Sequence, residues 1–473
     1  MNASIPTGPR WCLLVLLTSV AVLGGCSSFS PDGGFSAVEK TAKDRLGKDL
    51  QWARSQADQD RIAQRVAELL AKPLTVDDAV QVALLNNRSL QARFQELGIT
   101  EAEVVQAGRI PNPGFSFSRL RRGDEVELER GLHFNIARLV AMPFIGQMEA
   151  RRFEHTKGLV AMGVLQLAAD TRKAYYNAVA AVETLRYMRQ VKEAAEASSE
   201  LARRMEQVGN FNKLQRAREQ MFEAHAALNL ARAEQAQRAT RERLTRLLGL
   251  WGEQTLFTLP ERLPDFPSEV MNQPDIERVA LAQRLDVQAA KQVAEQTAKN
   301  LGLTKTTRFI NVLEVGAVRN SSNEAPTQRG WEIGLELPLF DWGGARVAKA
   351  EAVYMQAVHR AAQTAIDARS EVREAYTNYR SAYDIARYQR DEVVPLSQRI
   401  SQENLLRYNG MLIGVFDLLA DARSQINSVN ASIQAQRDFW IAQADLDMAL
   451  IGKPNLSAAV GPSIATEAAG PGH

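Results

Sequence analysis

From residue 343 to 407, apolar side chains return at a spacing near 3.5, at Val347, Ala350, Tyr354, Ala357, Ala361, Ala365, Ala368, Val372, Ala375, Tyr379, Ala382 and Ala386. That period is a coiled-coil seam, and a helix keeping it throughout reaches roughly 90 to 100 Å at 1.5 Å per residue. A second run, predicted from about 145 to 206, carries Leu165, Ala168, Tyr175, Ala178, Val182, Leu185 and Met188. Two helices of matching length can stand as paired hairpins. Alanine at so many seam positions lets helices approach closely, which suits a wall of helices better than a thick globular core. A spectrin-like rod would account for the seams alone.

A rod does not account for the alternating segments. Val126, Leu128, Leu132, Phe134 and Ile136 fall on one face of a predicted strand, while Glu125, Glu127, Glu129, His133 and Asn135 fall on the other. In the second half Trp331, Ile333, Leu335, Leu337 and Leu339 alternate with Glu332, Gly334 and Glu336, after a polar turn expected from Asn320 to Glu324. Partner strands are predicted near Gly114 to Arg121 and Phe309 to Val318, so each half carries a hairpin. Strands of about 10 residues, dry on one side and acidic on the other, suit a transmembrane barrel with lipid outside and water within. The same periodicity also fits a small sheet on a soluble core. Four strands cannot enclose a water-filled pore, because barrels of about eight strands already fill their interior with side chains. The strands of several subunits must then be pooled.

The chain reads as two similar halves. Val82-Ala83-Leu84 followed by Gln91-Ala92 recurs as Val279-Ala280-Leu281 followed by Gln288-Ala289. The order helix, two alternating segments, very long helix, Gly-containing break and return helix recurs with it. Residues 73–250 form the first repeat and 274–452 the second. Pro260, Pro264 and Pro267 mark a linker over 251–273, with Pro274 just after it, where a continuous helix or central strand is disfavoured. Residues 453–473, rich in Ala, Gly and Pro, are expected to be a disordered tail.

Arg10 precedes an apolar run from Trp11 to Val22, too short to span a bilayer and right for a secretory signal. It ends in Leu23-Gly24-Gly25-Cys26, which resembles a bacterial lipobox: residues 1–25 are removed as a signal peptide and Cys26 is lipidated. Residues 26–72 then form a lipidated N-terminal linker and helix. Ser27 and Ser28 in place of Asp resemble a signal for sorting to the outer membrane. An ordinary signal peptide with an incidental Cys is the plainer alternative. Cys12 leaves with the signal, so the mature chain has one Cys and no internal disulfide.

Several classes of function drop out. Lys plus Arg number 57 against 55 Asp plus Glu, a net charge of +2, so no global basic field exists to hold nucleic acid. Five His and two Cys, none in a C-x-x-C or H-x-x-x-H arrangement, leave no zinc, haem or iron-sulfur framework, and no cofactor is expected. His133 falls on the polar face of a strand and His155, His225 and His359 fall in helices. All four read as solvated side chains rather than catalytic bases, and the chain does not read as an enzyme.

Three motifs carry a family resemblance. They are Pro73-Leu74-Thr75 with Asp78-Ala79, Ala83-Leu84 and Asn86-Asn87; Glu336-Leu337-Pro338-Leu339-Phe340-Asp341-Trp342-Gly343-Gly344; and Arg407-Tyr408 with Asp417-Leu418-Leu419 and Ala422-Arg423. Together they resemble the opening helix, the strand-to-helix signature and the second periplasmic helix turn of the TolC-type outer-membrane efflux family, over about residues 73 to 452. Two places depart from it. Met142-Pro143-Phe144-Ile145-Gly146 stands where a second Pro-Leu-Phe-x-x-Gly is expected, and Met411 holds the usual Gly position, with Gly410 and Gly414 nearby.

The resemblance implies a mainly α protein with a membrane β-barrel. Long coiled-coil hairpins form a periplasmic α-barrel, and four strands per chain are pooled into a twelve-stranded trimeric barrel. It implies a passive outer-membrane channel of a tripartite efflux pump: a homotrimer in outer-membrane lipid, coupled through a periplasmic adaptor to a proton-driven inner-membrane transporter. Asp417 matches an acid ring of the family's periplasmic gate, and Asp421 lies one turn further on. Ion pairs with Arg407 or Arg423 are the other use of these carboxylates. Adaptor-docking tips are expected at Val208, Gly209, Asn210 and Phe211, and at Gly410, Met411, Leu412, Ile413 and Gly414, with Gly209 supplying backbone freedom for the reversal. Gln215 stands where the family often has an Asp.

A periplasmic adaptor lipoprotein and a structural coiled-coil envelope protein are the alternatives, but adaptors usually have one hairpin flanked by soluble β-domains. The exported substrate stays open among drugs, metal ions and larger molecules. Gly209-Asn210-Phe211-Asn212 with Glu219-Gln220 weakly resembles the metal-efflux branch.

If Cys26 is the acylated residue, Cys26→Ser abolishes incorporation of a labelled fatty acid and leaves the signal uncleaved or miscut. Equal labelling of the variant would remove the anchor.

Overall fold

The computed structural model describes residues 28–307, 313–335 and 340–455. The signal segment with Cys26, strand residues Phe309 to Asn311, residues Glu336 to Leu339 of the strand-to-helix signature, and most of the tail lie outside the described residues. In chain order the elements are α1 (Phe35–Leu46), α2 (Gln56–Leu70), α3 (Val76–Asn86), α4 (Arg88–Ala107), β1 (Gly114–Arg122), β2 (Glu125–Asn135), α5 (Ile136–Gln207) and α6 (Lys213–Leu248). After a 3-10 turn at Gly252–Leu256 come α7 (Ile276–Gln283), α8 (Leu285–Thr307), β3 (Leu313–Ser322), β4 (Gln328–Leu335), α9 (Gly344–Tyr388), α10 (Val394–Asn409) and α11 (Val415–Ile451). The chain forms two compact units, one of Ala92–Ala161 and Gln288–Thr364 with the chain up to Thr41, the other of Ala42–Gln91, Met162–Val287 and Ala365 onward. Each sequence half contributes to both.

The first unit holds the sheet, antiparallel throughout in the order β1-β2-β3-β4. Three residues expected in a turn belong to β3. Ser322 pairs with Glu127 and its Oγ donates to Glu125 at 3.3 Å, while Asn320 pairs with Glu129. These polar side chains face the acidic side of β2, so the strand continues until Asn323, which accepts the Val126 N–H at 2.7 Å.

At the other end β2 stops before Ile136, which the alternation had placed on the dry face. The Asn135 side chain accepts the Arg138 N–H at 2.7 Å, an N-cap that starts α5 at once. The segment Met142 to Gly146, expected at the strand-to-helix junction, therefore lies inside α5 together with Pro143. Before α9, Gly343 takes φ +74° and donates its N–H to Asp341 at 2.8 Å, the tight turn for which a glycine suits the signature.

In the second unit the helices pack around aromatic rings. Phe439 of α11 is fully buried against Phe266, Tyr379 and Tyr383, and Tyr176 of α5 stacks on Trp440 at 5.3 Å. The Pro-rich stretch between the halves is stitched down by side chains: Trp440 and Gln436 donate to the Pro264 carbonyl at 3.0 and 2.8 Å. Tyr175 donates to the Leu74 carbonyl at 2.9 Å, and burial pushes its phenol well above the ordinary range. The seam expected to run unbroken from 343 to 407 is interrupted by a π-turn at Gln389–Val393. Pro395 has no N–H for the Asp391 carbonyl and its ring crowds that group, so the ladder slips by one residue.

The same joint recurs in both halves. Between α3 and α4, Asn86 donates to the carbonyls of Leu248 and Gly249, and Asn87 to that of Leu247 at 2.9 Å, tying the break to the end of the return helix. Between α7 and α8 the corresponding residue is Arg284, 1% exposed, which reaches the Ala449 carbonyl of α11 at 3.4 Å. Its guanidinium also donates to Asp286 at 3.0 and 2.7 Å and to Glu371 at 2.6 Å. Burial alone would lower its pKa, but the hydrogen bonds and charges of the two carboxylates hold it raised.

Arg284→Met strands two half-buried carboxylates and is expected to cost about 3–5 kcal/mol. A marked fall in melting temperature, partly recovered by adding Asp286→Asn and Glu371→Gln, is the expected readout. An unchanged melting temperature would show that the joint is not held by this network.

Candidate functional site

The first candidate site is the pair of helix turns in the second unit. Between α5 and α6 the Gly209 N–H donates to the Glu206 carbonyl at 3.0 Å and the Asn210 N–H to the Met205 carbonyl at 2.8 Å, with Gly209 at φ +81°. Between α10 and α11 the Met411 N–H donates to Tyr408 at 2.9 Å and the Leu412 N–H to Arg407 at 2.8 Å, with Met411 at φ +59°. Both are Schellman C-caps, in which one residue must be left-handed so that two terminal carbonyls are satisfied. Gly209 meets that demand without cost. Gly410, the glycine in the second turn, sits one position early at φ −79°, so Met411 carries the left-handed conformation and its strain.

The side chains at the turns divide into projecting and inward groups. Met411 is 93% exposed, Leu412 77% and Val208 71%, so apolar groups stand out into solvent at both turns. Asn210 and Gly414 are exposed, and Ile413 is half-buried. Phe211, expected among the projecting contacts, is turned inward against Ala202, with Met205 and Tyr408 beside it. Gln215, standing where an Asp is often found, makes a capping box with Asn212: each side chain answers the other's backbone N–H at 2.8 Å.

Asp417 is exposed on the first turn of α11, where it accepts the Gly414 N–H at 3.2 Å, so its carboxylate faces the positive end of the helix. Asp421 is half-buried, and its Oδ2 has no hydrogen-bond partner among the described residues. Among the described residues neither pairs with Arg407 or Arg423. Arg407 pairs with Glu403 at 3.1 Å, and Arg423 pairs with Glu219 at 2.9 Å. The Glu219 pairing is a clamp that motif reading missed. Glu219 of α6 is 1% exposed and also accepts from Ser198 of α5 at 2.8 Å, while the Arg423 guanidinium lies 4.5 Å from the Phe222 ring centre.

The second candidate site lies on the wet face of the sheet. The Ser116 hydroxyl is 2.7 Å from His133 Nε2, and His133 Nδ1 is 2.7 Å from Glu332 Oε1, a chain across β1, β2 and β4. His133 is thus bridged, and not the free surface imidazole its position on the strand suggested. Gly131 and Gly316 make room for it. A Cβ at Gly131 would collide with Ser116 Oγ and the His133 ring, and one at Gly316 would meet Glu332 and the ring. The order resembles a hydrolytic relay, but Glu127 and Glu129 share this face, and carboxylates beside a developing oxyanion oppose such chemistry. What the geometry supplies is a polar ladder on an acidic surface.

No protein-family model matches the chain. A curated relative, the cobalt-zinc-cadmium resistance protein CzcC of Cupriavidus metallidurans, is 23% identical over 282 residues, 57% of this chain and 64% of that protein. Among solved structures, the CmeC outer-membrane channel of Campylobacter jejuni aligns with a TM-score of 0.67 at 18% identity, covering 95% of this chain and 94% of that one. The open state of the MtrE outer-membrane channel of Neisseria gonorrhoeae gives 0.67 at 18% identity, covering 80% and 89%. The fold is that of the TolC-type outer-membrane channels: long helices with a small antiparallel sheet.

The strain at the second turn is measurable. Met411→Gly is expected to stabilise the protein by about 1 kcal/mol and Gly209→Ala to destabilise it by a similar amount. Both would be read as shifts in thermal melting. A loss of stability in Met411→Gly would mean that the Met411 side chain contributes more than the left-handed backbone costs.

Proposed function

We propose that this chain is the outer-membrane channel of a tripartite efflux pump, a passive homotrimeric conduit anchored by lipid at Cys26. The observation that carries this reading is the sheet: four antiparallel strands with a face whose helix-proximal rows are apolar, an acidic face and two open edges. In hydrocarbon such edges must be closed by other strands, and three copies supply twelve. The two halves, 73–250 and 274–452, act as repeats joined by the linker 251–273. The likeness to the CmeC and MtrE channels supports the same reading.

The helix turns are the docking end. Val208, Met411 and Leu412 offer exposed apolar contacts to a periplasmic adaptor, which links the channel to a proton-driven inner-membrane transporter. Gly209, Asn210, Gly410, Ile413 and Gly414 shape those turns, and Phe211 braces the first from within. Asp417 and Asp421, threefold repeated, form the periplasmic gate, where carboxylates around one axis attract cations. The name of CzcC, together with Glu125, Glu127, Glu129, Glu314 and Glu332 on the wet face, favours divalent metal cations as cargo. A free-energy source lies in the transporter, so no catalytic step is assigned to this chain.

The purified protein is expected to be a trimer in mild detergent. In planar bilayers Asp417→Ala is expected to reduce the cation-to-anion permeability ratio by about twofold or more, and Asp417→Ala with Asp421→Ala to reduce it further. A folded monomer would remove the pooled barrel. An intact double-mutant trimer with unchanged selectivity would remove the gate assignment alone.

A further inference from the structure

Apart from Arg122, which stands opposite Glu125 on the acidic face, the register of the sheet sorts its charges by sign. On the dry face one cross-strand row runs through Phe117, Arg130, Arg319 and Arg329, with Arg130 directly opposite Arg319 and Arg319 directly opposite Arg329. Arg119 and Arg121 follow on the same face toward the hairpin turns. The acids Glu125, Glu127, Glu129, Glu314 and Glu332 all project from the other face. No carboxylate of the paired strands reaches the row, and among the described residues Arg130, Arg319 and Arg329 form no ion pair.

Like charges directly opposite one another across strands are destabilising. Three guanidinium groups in consecutive opposition can converge on a shared anion, which offsets their repulsion. Their forked donors match phosphate oxygens in bidentate fashion. Immediately beside this row, on its helix-proximal side, lie Phe115, Leu132, Ala317 and Trp331, and then Phe134, Val315 and Ile333. Phe115 and Trp331 are largely exposed. The ligand that fits both rows has phosphate at one level and hydrocarbon at the next, which describes a phosphorylated lipid.

We propose that Arg130, Arg319 and Arg329 bind the phosphates of the outer-leaflet glycolipid, lipid A, with its acyl chains lying on Phe115, Leu132, Trp331 and Ile333. The assignment to the outer leaflet rests on the channel reading. The helices leave one end of the sheet and the hairpin turns occupy the other, so with periplasmic helices the arginine row stands on the outer side of the Phe115, Leu132 and Trp331 row. Arginine on a lipid-facing strand is costly in mid-bilayer and tolerated near the interface, where the headgroup phosphates lie.

The test uses the purified full-length protein in mild detergent, with native mass spectrometry after addition of diphosphorylated lipid A, dephosphorylated lipid A, or inorganic pyrophosphate. Wild type is expected to retain the diphosphorylated lipid about tenfold more than the dephosphorylated one, and R130Q/R319Q/R329Q to lose that preference. Without lipid the triple variant is expected to melt higher than wild type, because three opposed charges are gone. With diphosphorylated lipid A the order reverses.

Equal retention of the two lipids, or a preference that survives the triple variant, overturns the proposal and leaves the row to a phosphate-independent partner. Pyrophosphate bound as tightly as the lipid also overturns it, in favour of a plain anion site. If the triple variant does not assemble, Arg319→Gln at the centre of the row must still lower the preference and Arg319→Lys must restore part of it. Conductance of the same wild-type preparation in planar bilayers separates the two readings. A conducting trimer without lipid preference sinks only this proposal, and a preparation that never conducts sinks the channel.

Discussion

The two open edges of the sheet are the constraint on which the other features turn. β1 and β4 each present a row of backbone donors and acceptors with no partner among the described residues, while the strands between them are fully paired. The dry face exposes Phe115, Phe117, Trp331 and Ile333. In water such edges invite aggregation, and in hydrocarbon each unmet group costs several kcal/mol. The described residues of β1, β2 and β3, 9, 11 and 10 of them, already reach the length that a tilted transmembrane strand requires. In the proposed channel, copies of the chain complete the sheet, and the helices that extend from the same strands follow the symmetry of that closure.

Periodicity made the elements legible and left their junctions obscure. The alternation in 125–135 fixed which residues share a face, because period 2 is a strong signal wherever acids and apolar residues segregate. It did not reveal that Asn135 would cap a helix, since an Asn on the wet face of a strand and an Asn at an N-cap look alike in sequence. The seam at Ala382 and Ala386 masked the effect of Pro395, although the proline was in plain view. Nothing in the one-dimensional pattern could align Ser116 with His133 and Glu332, or set three arginines side by side. Those relations belong to the register, which depends on where two separate hairpins meet. Gly131 and Gly316 were the available clue, since glycine within a strand often marks a close approach.

The two halves keep one architecture and part in chemistry at equivalent points. At the helix break the first half uses the neutral amides of Asn86 and Asn87, and the second uses Arg284 with two carboxylates. At the turn the first half has Gly209 relaxed at positive φ, and the second has Met411 strained there. The exposed Asp417 and the Asp421 oxygen that has no hydrogen-bond partner among the described residues also belong to the second half. At the helix break the second half adds charge, and at the turn it adds strain, where the first half has neutral amides and a relaxed glycine.

The clamp between the halves limits how their turns can move. Glu219 is nearly inaccessible and meets two donors, Ser198 of α5 and Arg423 of α11. Drawing α11 away from α6 would leave a buried carboxylate with a single hydroxyl donor, and removing one partner of a buried charge pair costs about 3–5 kcal/mol. Arg423 itself is partly exposed and lies against the Phe222 ring, so water could compensate the guanidinium more readily than the carboxylate. The cheaper displacement carries α5, α6 and α11 together. Bending would then fall where helical hydrogen bonding is already irregular, at the π-turn of Gln389–Val393 between α9 and α10. Met411, strained at positive φ, and that π-turn bracket α10, so the strain and the irregular ladder fall at the two ends of the same helix.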